Sequence, residues 1–289
     1  MAIPKASPTR LYAILARNGT SGVIFRRGPT KQVQLIKWNL KDDSLERGQW
    51  FKGRIYERRC DLSPSGNLLI YFAATYKGDL KSWTAISKPP YFTALALWPK
   101  GDGWNGGGWF DSEWGIYLNH PFEAVPHPDF EAGCRKFKIE SLALGMGEDR
   151  TVSYYTEDRD GWEIIQDPAW EAYSNEGPFF RKAKVPEITE KKNPKNGTLL
   201  RRSLLGISKR QGPWYFMNYE VRSKDHAILD LGICDWADWD QNGDLLFCRE
   251  GGLFRQKITR SKPGLLKKIA DFTDDRFSAV EAPEWAKQF

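Results

Sequence analysis

Short apolar runs recur along the chain, each bounded by Gly, Pro, Asn or Asp, and the 3.6-residue spacing of a long amphipathic helix is hard to find. Such a pattern predicts many short strands joined by turns. Six stretches read as strand–turn–strand hairpins: residues 12–28, 60–72, 92–110, 141–155, 203–219 and one that begins at Asp235. Further strands are predicted between them at 33–40, 82–87, 115–119, 162–165, 227–232 and 253–258. The best helical candidates are short, at 167–173 and 281–288.

Two of the hairpins are alike. CDLSPSGNLLIYF (60–72) and ADWDQNGDLLFCR (237–249) both place a Gly, a polar residue and then Leu-Leu before an apolar or aromatic residue. Pro64-Ser65-Gly66-Asn67 and Gln241-Asn242-Gly243-Asp244 are turn tetrads in which Gly supplies φ > 0. The separation of Gly66 and Gly243 fits four units of about 44 residues. In four units the first strand is small and aliphatic (AILA, ALAL, LALG, LLGI). In four the second carries rings (IYF, GWF, SYY, WYF). Small residues suit a crowded inner strand, and rings suit packing between neighbouring sheets.

The stretch Asp61-Leu62-Ser63-Pro64-Ser65-Gly66 resembles the D-x-S-P-x-G turn of WD-repeat-like β-propellers, and Asp238-Trp239-Asp240-Gln241-Asn242-Gly243 keeps its Asp and Gly. No unit carries the Gly-His…Trp-Asp signature. The resemblance implies an all-β propeller. The spacing gives six blades, with five or seven as the neighbouring counts, in a single domain over residues 1–289. A sandwich pair or a barrel is the alternative. Closure of the ring is expected from an outer strand in 272–289 or at the N-terminus.

Composition narrows the classes. At 40% hydrophobic and 28% charged, the 289 residues form neither a disordered chain nor a membrane helix, since no run of about 18 apolar residues exists. The opening MAIPKASPTR has no apolar core, so no secretory signal is expected and a cytoplasmic location follows. Cys60, Cys134, Cys234 and Cys248 have no CxxC spacing and read as reduced, buried thiols. His120 and His127 with Asp129 are the nearest approach to a metal set; Pro-flanked surface histidines are the plainer reading, and no metal or cofactor is expected. Asn18-Gly19-Thr20 and Asn196-Gly197-Thr198 match sequons but are read as turns. No P-loop, GxGxxG, HExxH or GxSxG is present.

The net charge of +6 hides an asymmetry: +11 over residues 1–101, −11 over 102–176 and +6 over 177–289. Segregated charge orients partners. Three groups of candidate binding residues emerge. Arg58-Arg59 and Arg201-Arg202 precede strands of units two and five, which a six-unit ring would set opposite one another as an anion site. Trp104 and Trp109 flank a Gly-rich loop and are expected to be exposed. Asp235, Asp238 and Asp240, interleaved with Trp236 and Trp239, form an acid–aromatic cluster; bonds to turn amides are the structural reading, glycoside chemistry the catalytic one. The leading expectation is a non-catalytic scaffold for a protein or peptide partner. One alternative is an enzyme acting on a glycan or small anionic substrate. Another is a nucleic-acid-associated protein using the basic stretch Arg181–Arg210.

Overall fold

A computed structural model of the chain describes residues 9–28, 31–121, 123–142, 152–173, 179–208, 213–223 and 226–289. These residues are mainly β and form five hydrogen-bonded sheets, against the six hairpin units read from the sequence. The chain divides into two compact units, Ala13–Asp160 with Arg276–Phe289, and Met1–Tyr12 with Gly161–Asp275.

A four-stranded meander, belonging to the first unit from Ala13 onward, consists of β1 (Arg10–Leu15), β2 (Ser21–Arg27), β3 (Gln32–Asn39) and β4 (Leu45–Lys52), in that order. Val23, Ile24 and Phe25 pair across to Lys37, Ile36 and Leu35, so β-branched and aromatic side chains meet on the buried central strands. A second sheet holds β5 (Arg54–Ile55), β6 (Asp61–Leu62), β7 (Leu69–Ala74), β8 (Ser82–Ser87) and β9 (Ala96–Pro99). Every residue of β7 is buried, as its unbroken LIYFAA run requires. Both β5 and β6 pair with β7, and the chain crosses between them in a 3-10 turn, Glu57–Arg59. A third sheet comprises β10 (Gly108–Phe110), β11 (Gly115–Leu118) and β12 (Lys138–Ser141), with β11 and β12 parallel. The helix α1 (Glu131–Cys134) leads into β12, and α2 (Val152–Arg159) follows it. Ile70, Ile86, Trp98, Phe110, Ile116 and Leu118 form one core between the second and third sheets.

The Ser63–Gly66 turn is built as its sequence requires. Gly66 has φ +79 and donates to the Ser63 carbonyl at 2.8 Å. Glu113 closes it, accepting from both hydroxyls, Ser63 Oγ at 2.9 Å and Ser65 Oγ at 2.7 Å. Asn18 N–H donates to the Pro64 carbonyl at 2.9 Å, which packs the turn between β1 and β2 against it. The C-terminal residues of this unit form no strand. Phe277 meets Trp50 at 6.1 Å, Phe289 meets Trp114 at 6.0 Å and Phe137 at 5.6 Å, and the expected helix shrinks to a 3-10 turn at Glu284–Ala286.

The second unit contains β13 (Trp162–Gln166), β14 (Ala169–Trp170), β15 (Phe179–Lys192), β16 (Leu199–Ser208), β17 (Tyr215–Arg222) and β18 (Ala227–Ile233), in the order β13-β15-β16-β17-β18 with β14 paired to β15. A meander of β19 (Trp236–Trp239), β20 (Asp244–Arg249), β21 (Gly252–Ile258) and β22 (Pro263–Asp271) completes it. Leu200, Tyr219, Val221, Leu245 and Phe247 form the shared core. Gly243 repeats the Gly66 turn, with φ +80 and a 3.0 Å bond to the Asp240 carbonyl.

Three expectations change. The hairpin over 92–110 is split, because β9 continues the second sheet and β10 opens the third. The loop between them holds Gly101, Asn105, Gly106 and Gly107 at positive φ, which no strand tolerates. The aromatic second strand expected at 153–155 is instead part of α2, and residues 143–151 of that hairpin lie outside the described residues. The helix expected over 167–173 gives way to β14, since Ala169 and Trp170 find backbone partners at Val185 and Ala183.

Candidate functional site

The 3-10 turn Glu57–Arg59 separates two adjacent arginines in function as well as direction. Arg58 reaches Glu157 on α2, Nη1 to Oε1 3.5 Å. Arg59 points inward and is 1% exposed. Its Nη1 donates to the Gly103 carbonyl at 3.0 Å and also to the Asn105 carbonyl, and its guanidinium lies over Tyr56 at 4.7 Å and Phe72 at 5.3 Å. A buried cation thereby holds two carbonyls of the Gly-rich loop.

The same loop is fixed at other points. Gly106 N–H donates to the Asn119 carbonyl at 2.6 Å, and Asn119 N–H to the Gly107 carbonyl at 2.9 Å. Gly107 N–H donates to Thr84 Oγ1 at 2.8 Å, and that oxygen lies 3.0 Å from His120 Nε2. Burial lowers the His120 pKa to about 4, so the ring is neutral where it shares this hydrogen bond with the Thr84 hydroxyl. Trp104 N–H donates to Asp102 Oδ1 at 2.8 Å, and Lys100 Nζ holds the same oxygen at 2.9 Å. From this braced loop Trp104 projects 61% exposed. Tyr76, 51% exposed, borders the loop: its hydroxyl bonds that of Tyr56 and lies 2.5 Å from where a Cβ on Gly103 would stand. Arg54 sits 4.3 Å over the Tyr56 ring.

Trp109 is not exposed, contrary to expectation. As the middle residue of β10 it is 7% exposed, and its ring is stacked with Tyr117 (4.9 Å, 11°) and Tyr155 of α2 (5.1 Å, 2°). The end of α2 is tied down by Arg159, which gives two bonds to Asp61, 2.7 and 3.1 Å, and a third to the Phe110 carbonyl at 3.1 Å. Asp61 also accepts from Phe110 N–H at 2.9 Å, and Arg17 Nη2 donates to the Phe110 carbonyl at 3.0 Å. Burial raises the Asp61 pKa, and the Arg159 guanidinium opposes that rise. Every oxygen of this carboxylate is engaged in holding strands together.

In the second unit Arg201, Arg202, Asp238 and Trp239 meet Thr189, Glu190 and Lys191 of β15. Arg202 Nε donates to Thr189 Oγ1 at 3.0 Å and its guanidinium lies 4.8 Å over Trp162. Arg201 pairs with Glu190 at 2.6 Å and Glu220 at 3.6 Å. Asp238 pairs with Lys191 Nζ at 2.7 Å, and Trp239 Nε1 donates to the Lys191 carbonyl at 3.0 Å. Trp236 and Trp239 are both buried. Asp235 accepts from Leu11 N–H at 3.1 Å; Asp240 accepts from the turn amides of Asn242 and Asp244 and pairs with Arg255. The two arginine pairs therefore lie in different units, each tied to partners within its own.

Within the basic stretch Lys182 pairs with Glu171, Lys191 with Asp238 and Arg201 with Glu190, while Lys209 and Arg210 lie outside the described residues. Among the described residues no group of three or more His, Cys, Asp and Glu side chains is placed to hold a metal. His127 instead accepts from Asp129 N–H at 3.3 Å at the start of the 3-10 turn Pro128–Phe130. No helix of the described residues is long and apolar enough to cross a membrane.

Arg58, Arg59 and Trp104 are thus brought together around one turn, and Trp109 lies beneath α2 beside it. Tyr76, Tyr155, Glu157 and Arg159 complete the arrangement and carried no local signal, because each acts through a partner far away in the chain. No family model, no curated protein and no solved structure matches this chain.

Proposed function

We propose that the chain is a non-catalytic, cytoplasmic binding module of the β-propeller type that engages a protein or peptide partner through Trp104 and Tyr76. The exposure of Trp104 on a loop braced by buried Arg59 carries this reading. Large rings at 61% and 51% exposure offer contact area at little conformational cost, and a fixed loop spares the ordering entropy that a mobile one loses on binding. The carboxylates that would serve hydrolysis, Asp61, Asp235, Asp238 and Asp240, instead hold main-chain amides or cations. The propeller reading rests on the D-x-S-P-x-G turn and on the two four-stranded meanders β1-β2-β3-β4 and β19-β20-β21-β22, each a candidate blade. Four buried thiols without disulfides accord with a reducing compartment.

The test is selection of peptides from a random phage-displayed library on the immobilised full chain, followed by affinity measurement. Enriched peptides should bind W104A and Y76A at least about tenfold more weakly. Failure to enrich any sequence, or equal binding to W104A, overturns the proposal.

A further inference from the structure

In the other unit an arginine lies among exposed rings. Arg181 on β15 has its guanidinium 5.0 Å from the ring centre of Trp170 and 5.0 Å from that of Tyr173. Tyr173 is 67% exposed and meets Phe180, 39% exposed, at 5.0 Å. Arg181 Nε is buried and has no hydrogen-bond acceptor, and no carboxylate among the described residues pairs with this guanidinium. Its chain neighbour differs: Lys182 pairs with Glu171 at 3.7 Å. The position is held firmly. Trp170 is fixed by the pairing of β14 with Ala183, and Glu171 N–H donates to the Lys182 carbonyl at 2.9 Å. Gly206 lets β16 approach, since a Cβ there would lie 2.7 Å from Phe179 and 2.9 Å from the Arg181 carbonyl.

A guanidinium stacked on aromatic rings keeps its in-plane donors for a planar oxyanion. We propose that Arg181, with Trp170, Tyr173 and Phe180, binds a single carboxylate of a partner peptide, an Asp or Glu flanked by apolar residues. The aromatic rim takes the apolar flanks and Arg181 takes the carboxylate through two parallel N–H···O bonds. Single-stranded nucleic acid fits less well. Phosphate tracking needs an array of uncompensated cations, and the adjacent Lys182 is paired with Glu171; base stacking needs open ring faces, and two of these rings already carry the arginine.

The probe is an array of synthetic decapeptides rich in Leu and Phe with one central Glu, each beside its Gln counterpart, titrated against the full chain. Some Glu peptides should bind. Their Gln counterparts, and the variant R181Q, should bind about tenfold more weakly, with R181K in between because it keeps charge without the fork. W104A should bind them as the parent does, which separates this site from the one proposed above. Absence of binding by any Glu peptide, equal affinity for Gln peptides, or unchanged affinity in R181Q with R181K folded by circular dichroism would overturn the assignment. So would tighter binding of an oligouridine that R181Q abolishes.

Discussion

Arg159 Nη1 stands 2.7 Å from Asp61 Oδ2 and Arg159 Nη2 3.1 Å from Asp61 Oδ1, a two-point pair joining the end of α2 to the strand that opens the Ser63–Gly66 turn. Asp61 is 2% exposed. A carboxylate so placed is tolerated only with its partner, because removing one member leaves an uncompensated buried charge. Arg159→Met should therefore destabilise the chain by about 3–5 kcal/mol. The double change D61N with R159M should recover a substantial part of that loss. Urea denaturation of the three proteins checks this; a single variant no less stable than the double would refute the pairing argument.

The loop that carries Trp104 depends on a glycine for two separate reasons. Gly107 has φ +81, and a Cβ there would overlap the Arg59 main chain. Gly101 has φ +89 with open space around it. G101A should cost about 1 kcal/mol, the left-handed penalty alone. G107A should cost more and should also raise the hydrogen-exchange rate of the Gly106 and Asn119 amides, which bond across this loop. Equal effects of the two changes would show that the close approach carries no weight.

His120 ties the same loop to pH. Its pKa is lowered by burial from 6.5 to about 4 in the folded chain. The unfolded chain takes up the proton first as pH falls, so the stabilisation is complete above about pH 6.5 and is lost progressively toward pH 4. The full span corresponds to about 3 kcal/mol. H120Q should flatten the dependence of the melting temperature on pH between 4 and 6.5, and an unchanged slope would place the acid sensitivity elsewhere.

All four thiols are buried, and burial raises their pKa values, that of Cys134 to about 11 and that of Cys234 to about 12. Thiolate is the reactive form, so the native chain should react with a disulfide reagent far more slowly than the chain in urea. A rapidly modified thiol in the native protein would show that the segment carrying it opens readily.

Much of the strand content was legible in the sequence, because a strand needs only a short apolar run and a turn residue at each end. The stretch 82–87 reads as a strand and is β8, and the hairpins at 12–28, 60–72 and 203–219 pair as strands β1 with β2, β6 with β7, and β16 with β17. The turn at Gly66 and its relative at Gly243 were equally plain, since φ > 0 is a local demand. Tertiary structure decided the rest. Tyr154 and Tyr155 suit a strand by propensity, yet they lie in α2, whose end is fixed by Arg159 meeting an acid on a distant strand. Trp104 and Trp109 look alike in sequence, but only the first projects, because the second falls on a strand covered by Tyr117 and Tyr155. Arg58 and Arg59 are neighbours in the chain and differ wholly in surroundings. Local geometry fixes where backbone bends and extends; which charge is buried, and which ring is left to solvent, depends on partners that only folding brings near.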